Sequence, residues 1–261
     1  MRPIMQRRAW VGAMAALAVA PAWAQRRPGD RMLALGAEML LVDAGFGAAL
    51  RRRFGRDTGL ALRVEPGPST ALLQALARGE IDLALTHAPV LAARLEADGT
   101  IYGERSVART DFLLAGPQGS AGASHNVLTE LTLLAERRAP FLTRNDGSGT
   151  HLAEQALWRL AGIAPAEPWY RPLDPAGGPL LAQAHAAGAA CLVDRATWLA
   201  RAGAARGLAV LCEGDSLLAT ELRVHRSLVS AHPAAKLFLA WLTGPAGRAL
   251  VARTRGLRAP T

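Results

Sequence analysis

The sequence of 261 residues has few cysteines, few aromatic residues and almost no lysine. Its two cysteines, Cys191 and Cys212, are too few for a disulfide-rich scaffold or a multi-cysteine metal site. Lys236 is the sole lysine among 30 basic residues, and no basic run is interleaved with aromatic side chains. The formal charge of +9 therefore does not indicate nucleic-acid binding. With 51% hydrophobic and 20% charged residues, the composition is that of a globular chain of one or two domains.

The first 24 residues have the pattern of an export signal. Arg2, Arg7 and Arg8 precede a short apolar segment, which ends in the Ala-x-Ala cleavage site 22–24. This segment is shorter than the roughly 20 residues that span a bilayer. We therefore predict a cleaved signal over 1–24 and a periplasmic mature protein that begins at Gln25. The paired arginines fit both the general secretory route and the twin-arginine route.

After the leader, short apolar runs alternate with segments of helical period, as in α/β domains. The run 81–85 is a predicted strand, and Leu72 and Leu76 share one face of a predicted helix whose N-cap is expected at Ser69. The same alternation of predicted strands and helices continues in the second half, from the predicted strand 140–143 onward. The pattern predicts two α/β lobes: 25–115 forms lobe 1, 116–219 forms lobe 2, and 220–261 returns to lobe 1.

One predicted strand-to-helix turn concentrates hydrogen-bond donors. It is the segment Phe141-Leu-Thr-Arg-Asn-Asp-Gly-Ser-Gly-Thr-His151. The free N–H groups of a helix start, two hydroxyls and an arginine would together suit a small oxyanion, which the helix dipole also favours. A second turn, Pro66-Gly-Pro-Ser-Thr70, offers similar donors. The alternative is an ordinary capped turn with its arginine in solvent.

This turn and several other segments match one known family in order along the chain. The family has Ser-Arg-Gly-Asp-Asp-Ser-Gly-Thr-His at the donor-rich turn, and Arg-Gly-Asp-Ala-Asp-Val-Leu-Leu-Val-His-Asp-Pro where this chain has Arg78-Gly-Glu-Ile-Asp-Leu-Ala-Leu-Thr-His-Ala-Pro89. Further matches lie at 111–117, 192–197, 213–215 and 240–247. Over nearly the whole mature length, the chain resembles the tungstate-binding periplasmic proteins of ABC importers.

The resemblance implies a type II periplasmic binding protein fold of the α/β class, with two lobes around a ligand cleft and a hinge between them. It implies a monomer that binds a small oxyanion, tungstate or molybdate, and delivers it to the permease of an ABC importer. We expect no catalytic residue, metal or cofactor. Carried over residue by residue, the ligand-binding positions are Arg144, Ser148, Gly149 and Thr150 in lobe 2 and Ser69 and Thr70 in lobe 1.

The chain departs from the family at the end of the first strand. The family has a Thr-Thr-Thr-Ser run there whose hydroxyls and amides bind the anion, but this chain has Ala37-Glu-Met-Leu40. A Glu38 carboxylate in the cleft would repel a dianion by on the order of several kcal/mol at an effective dielectric of about 20. Glu38 could instead point outward, pair with Arg144, or accept a hydrogen from protonated phosphate, as Asp146 also could. The alternative function is thus a binding module with a changed ligand or a sensory role.

Three further signals leave alternatives open. Asp194 and Arg195 match a Thr-Asp-Arg segment of the family, so Asp194 either modifies the cleft or forms a structural ion pair. The two cysteines fall in predicted strands of one lobe and either form a disulfide or stay as buried thiols. The segment 214–217 spells the motif of the GDSL hydrolases, but no aspartate follows it to complete their triad. A periplasmic serine hydrolase that uses Ser216 or Ser148 is kept as a distant alternative.

Overall fold

In the computed structural model, residues 32–119, 125–201, 203 and 206–260 are described, and strands alternate with helices along them. The predicted signal lies outside these residues. The strands are β1 (Leu33–Glu38), β2 (Leu62–Gly67), β3 (Leu83–Thr86), β4 (Ile101–Pro117), β5 (Phe141–Thr143), β6 (Tyr170–Pro172), β7 (Cys191–Asp194), β8 (Leu208–Cys212) and β9 (Ala219–Ser227). The helices are α1 (Met39–Asp43), α2 (Phe46–Thr58), α3 (Ser69–Ala77), α4 (Pro89–Ala97), α5 (Val127–Glu136), α6 (Gly149–Leu160), α7 (Leu180–Ala186), α8 (Arg195–Ala200), α9 (Ala235–Thr243) and α10 (Pro245–Arg253). Within the described ranges, no helix combines the length and the apolar character needed to span a bilayer.

The first three strands run parallel, and their carboxyl ends meet at one edge of the sheet. β1 lies between β2 and β3, and Glu38 at the end of β1 pairs in register with Gly67 at the end of β2. Residues that follow these strands are therefore neighbours in space, which is the usual position of a ligand site in an open α/β sheet.

Two long strands, β4 and β9, connect the lobes. β9 lies between β3 and β4, antiparallel to both, and β4 continues beyond it to pair with β7 and β8. Asp111 stands where the pairing of β4 changes from β9 to β7, and it accepts hydrogen bonds from Arg195 (2.6 Å) and Arg258 (3.1 Å). Arg195 also pairs with Glu213, so its role is a structural ion pair.

The apolar side chains form separate cores on the two sides of this crossover. One core packs β1 against α2 and the C-terminal helices, with Phe54 and Phe238 in edge-to-face contact. On β4, alternation directs Phe112 and Leu114 into one core and Leu113 and Ala115 into another. Each lobe thus has its own hydrophobic core on its side of the connecting strands β4 and β9. The lobe boundaries at 115/116 and 219/220 stay predictions.

The two cysteines are free and buried, and the disulfide alternative was wrong. Cys191 in β7 is in register with Ala115 of β4, and Cys212 in β8 is in register with Leu114. β4 therefore separates the two cysteines. Strands two places apart lie roughly 10 Å from each other, which exceeds the Cα separation of about 4.4–6.8 Å that a disulfide needs.

Candidate functional site

The side chain of Glu38 lies between the lobes and is almost completely buried, with 1% of its surface exposed. Alternation along β1 places Glu38 on the same face as Gly36, where a Cβ would collide with Leu72 of α3. Since α3 covers that face, the carboxylate is directed toward the start of α3. The outward orientation and the Arg144 pair considered from the sequence are both excluded.

The carboxylate of Glu38 accepts hydrogen bonds from both lobes at a single oxygen. The hydroxyl of Ser69 donates to Oε1 from lobe 1, and the backbone N–H of Gly149 donates to the same oxygen from lobe 2 at 3.0 Å. Ser69 and Gly149 are the first residues of α3 and α6. Two helix N-termini, whose free N–H groups and dipoles favour negative charge, therefore meet at one carboxylate.

Ser69 does not cap α3, contrary to the sequence prediction. Pro68 holds the N-cap position with extended backbone, so Ser69 is already the first helical residue. Its hydroxyl is thereby released from capping and donates to Glu38 instead. Ser148, predicted as an anion ligand, holds the N-cap position of α6, where its Oγ accepts the N–H of His151 at 3.3 Å.

The lobes also touch directly beside the carboxylate. The backbone N–H and the hydroxyl of Thr70 both donate to the carbonyl oxygen of Gly147, at 3.1 Å and 2.8 Å. Gly147 has φ 71°, a left-handed conformation that favours glycine. The two strand-to-helix turns are thus in contact, and the cleft is closed at this point.

A buried histidine completes the wall around the carboxylate. Nδ1 of His87, which follows β3, lies 3.8 Å from Oε1 of Glu38. Neither ring nitrogen of His87 has a hydrogen-bond partner among the described residues. The ring packs so closely on Gly149 that a Cβ at position 149 would lie 2.4 Å from Nε2. Only glycine fits there, so the N–H of residue 149 can approach the carboxylate.

Arg144, one of the predicted anion ligands, is held by its own turn. Its guanidinium forms an ion pair with the Asp146 carboxylate at 2.8 Å, and the other Asp146 oxygen accepts the N–H of Ser148 at 2.9 Å. Burial alone would raise the pKa of Asp146, but the charge of Arg144 and the hydrogen bonds with Ser148 lower it overall. Asp146 is therefore a charged partner for Arg144.

The remaining predicted residues have separate positions. Thr150 is buried in the first turn of α6, and Asp194 caps α8 by accepting the N–H of Thr197 at 2.7 Å. His151 accepts the N–H of Gly147 through Nδ1, and burial is the main cause that lowers its pKa. The structure thus unites Glu38, Ser69, Thr70, Ser148, Gly149 and Thr150 at one place, with Arg144 engaged nearby.

His87 was not among the predicted site residues. His87 lies in a segment that matched the family, and it follows a predicted strand at the carboxyl edge of the sheet. Its position at this edge is the feature of the sequence that could have identified His87 as a site residue. A cavity of about 440 Å³ adjoins it and shares His87 and Gly149 with the site, while its other walls are mostly apolar residues of α4 and α6.

The two serines considered for a hydrolase, Ser216 and Ser148, lie at a turn and at a helix start. Ser216 is exposed in a short 3-10 turn. The Asp215 carboxylate beside it accepts the N–H groups of Val127 and Leu217, so it caps the start of α5 and the turn itself. Ser148 caps α6, as described above. Both segments thus contain a helix-capping or turn-capping side chain.

Comparisons with known proteins agree with this architecture. A family model described as a PBP superfamily domain matches residues 41–245. A putative ABC transporter anion-binding protein of Haloferax volcanii is 31% identical over 161 residues, or 60% of this chain and 47% of that protein. The tungstate-binding protein TupA of Peptoclostridium acidaminophilum is 30% identical over 181 residues, or 67% of this chain and 63% of TupA. The chain therefore spans about half to two thirds of the length of these two relatives.

A solved structure has a similar fold. It is the tungstate ABC transporter structure from Geobacter sulfurreducens, which is 26% identical and superimposes with a TM-score of 0.74. The superposition covers 85% of this chain and 98% of the other.

Proposed function

Since this chain belongs to the PBP superfamily and has the type II periplasmic binding fold, we propose that it binds a small oxyanion as the solute-binding protein of an ABC importer. The ligand class is tungstate or molybdate. The proposed ligand-binding residues are Arg144, Ser148, Gly149, Thr150, Ser69 and Thr70.

One observation carries the proposal: the starts of α3 and α6 converge from opposite lobes on a single carboxyl oxygen of Glu38. A fully deprotonated oxyanion accepts hydrogen bonds and donates none, so it requires a site made of donors. The Ser69 hydroxyl and the Gly149 N–H are donors of this kind, and together with the two helix dipoles they support the proposal. In this proposal an oxygen of the anion takes the position of the Glu38 carboxylate oxygen.

The relatives support the ligand class. One is named for anion binding, another for tungstate binding, and the chain resembles both at about 30% identity. With a solute-binding role we propose a monomer that is exported to the periplasm by the signal over 1–24 and docks on an ABC permease. We propose no enzymatic activity, because the candidate serines serve as a helix cap or lie exposed in a turn.

Isothermal titration calorimetry of the mature chain with tungstate, molybdate, sulfate and phosphate tests this function. We expect binding of tungstate and molybdate that is tighter than binding of the other two. Arg144→Ala should weaken tungstate binding by at least about tenfold, as expected for the loss of a charge-assisted hydrogen bond. Arg137→Ala, which removes an exposed arginine after α5, is the matched control and should bind as the wild type does.

Two results would contradict the proposal. Absence of heat with all four anions, in the wild type and in a variant without the Glu38 carboxylate, would exclude oxyanion binding. Tighter binding of phosphate than of tungstate would instead assign a protonated ligand, whose hydrogen the Glu38 carboxylate accepts. That result would favour the binding module with a changed ligand.

A further inference from the structure

The Glu38 carboxylate has the contacts that the proposed ligand would need. It is buried, and its Oε1 takes the donors that α3 and α6 present, one from each lobe. Among the described residues it has no arginine or lysine partner. Hydrogen-bond donors and two helix N-termini therefore surround this group, as they would surround a bound anion.

We propose that Glu38 is an internal ligand, whose carboxylate occupies the oxyanion site and holds the lobes closed. An external oxyanion would then bind by displacing this side chain. The inference deepens the proposed function and rests on it for the identity of that external anion. The closing action of Glu38 needs no external ligand and is tested without one.

The electrostatics of the closed cleft require a negative group at this place. The starts of α3 and α6 each carry the partial positive charge of a helix N-terminus, and they face each other across the carboxylate, to which Ser69 donates through its hydroxyl and Gly149 through its N–H. Without Glu38, like charges would oppose each other and the Gly149 N–H would be buried without this acceptor. The lobes should then separate until water reaches both helix starts.

The contacts beside the carboxylate leave little room for a second anion. Thr70 is bonded to the carbonyl of Gly147, and the His87 ring lies against the Cα side of Gly149. A dianion beside a buried carboxylate would also meet strong repulsion. Oxyanion binding therefore requires that Glu38 leave and that the lobes first part.

This competition lowers the apparent affinity for the oxyanion. When a protein binds only from a minor state, the measured affinity is reduced by the fraction of molecules in that state. The competent state here is the one in which Glu38 has left the site. A variant without the carboxylate should therefore bind tungstate more tightly, by about tenfold or more.

The test compares the wild type with Glu38→Ala, and uses as control Glu80→Gln, a half-buried acidic position in the turn after α3 whose partner is Arg78. Small-angle X-ray scattering without any oxyanion measures closure, and calorimetry with tungstate measures affinity. We expect the wild type and the control to be compact. Glu38→Ala should have a larger radius of gyration, contract on addition of tungstate, and bind it more tightly.

Equal radii of gyration for the wild type and Glu38→Ala without ligand would overturn the inference, as would weaker tungstate binding by Glu38→Ala. If neither chain binds any oxyanion, the proposed function fails, but the scattering comparison still decides whether Glu38 closes the lobes. Should Glu38→Ala not fold, as judged by circular dichroism, Glu38→Gln serves for the same readouts. It keeps the shape and an acceptor oxygen while removing the charge, so its expansion should be smaller but present; none would again overturn the inference.

Discussion

Two glutamates of this protein are equally buried but have different surroundings. Glu38 and Glu154 expose 1% and 2% of their surface. Glu38 lies between the lobes, where Ser69 and Gly149 donate to it from two helix starts. Glu154 lies in the second turn of α6, within lobe 2, where the hydroxyl of Tyr170 donates to it at 2.7 Å. Burial raises the pKa of Glu154 to about 7.

The difference shows which buried carboxyl group marks a ligand site. A carboxylate at helix N-termini meets unpaired N–H groups and a favourable dipole, so an anion is stabilised there. Beyond the first turn of a helix, the backbone N–H groups are already bonded to carbonyl groups of the same helix. A carboxyl group such as that of Glu154 is then surrounded by an apolar interior, which favours the protonated acid. Burial alone would thus have selected both residues, whereas position relative to the helix starts selects only Glu38.

The largest expected effect concerns the stability conferred by the protonated Glu154. Because its folded pKa of about 7 exceeds the unfolded value of 4.5, the folded state holds the proton more tightly. Stability from this group is fully present below about pH 4.5 and is lost as the pH rises through about 7, by on the order of 3 kcal/mol. Glu154→Gln should remove this loss. Urea unfolding of both chains at pH 5 and pH 8 measures it, and equal pH dependence in the two would contradict the assignment.

The next effect concerns the close approach of the lobes at Gly149. Gly149→Ala places a methyl group against the His87 ring, and such overpacking costs roughly 1–3 kcal/mol. We expect a lower denaturation midpoint and a more open cleft in scattering. Gly55→Ala, within α2 and with ordinary contact distances, is the control and should gain roughly 0.5–1 kcal/mol. A Gly149→Ala variant as stable and compact as the wild type would show that the lobes do not touch here.

The smallest effect concerns the ion pair at the lobe 2 turn. Asp146→Asn keeps an acceptor for the Ser148 N–H but removes the charge that holds Arg144. Tungstate affinity should rise by a factor of about two to five, as expected from an ion pair worth roughly 0.5–1 kcal/mol. Asp57→Asn releases Arg53 in the comparable pair on α2 and should leave the affinity unchanged. Weaker binding by Asp146→Asn would mean that Asp146 itself contributes to the anion site.

Much of the fold follows from local sequence patterns. The type II periplasmic binding fold expected from the resemblance is confirmed, and the donor-rich turn does lead from β5 into α6 with Ser148 as its cap. β9 was not predicted. It carries Glu221, Arg223 and His225 between its apolar residues, so no continuous apolar run marks it. Its place in the sheet comes from pairing with β3 and β4, which are distant in sequence.

The arrangement of the site was predictable in part. Local pattern located the two turns, because free donors at a helix start depend on neighbouring residues alone. The orientation of Glu38 depends on which face of β1 is covered by α3. That is set by tertiary packing and cannot be predicted from neighbouring residues. The engagement of Arg144 by Asp146 likewise depends on the turn's folded geometry. The predicted anion ligands thus stay proposals, and two of them, Ser69 and Gly149, have Glu38 as their present partner.

The most direct test of the central claim is a crystal structure of the mature chain grown with tungstate, since the anomalous scattering of tungsten locates the anion. We expect tungsten between Ser69 and Gly149, with the Glu38 side chain turned out of the site. Tungsten bound elsewhere, or tungsten in the cleft beside an undisplaced Glu38 carboxylate, would contradict it.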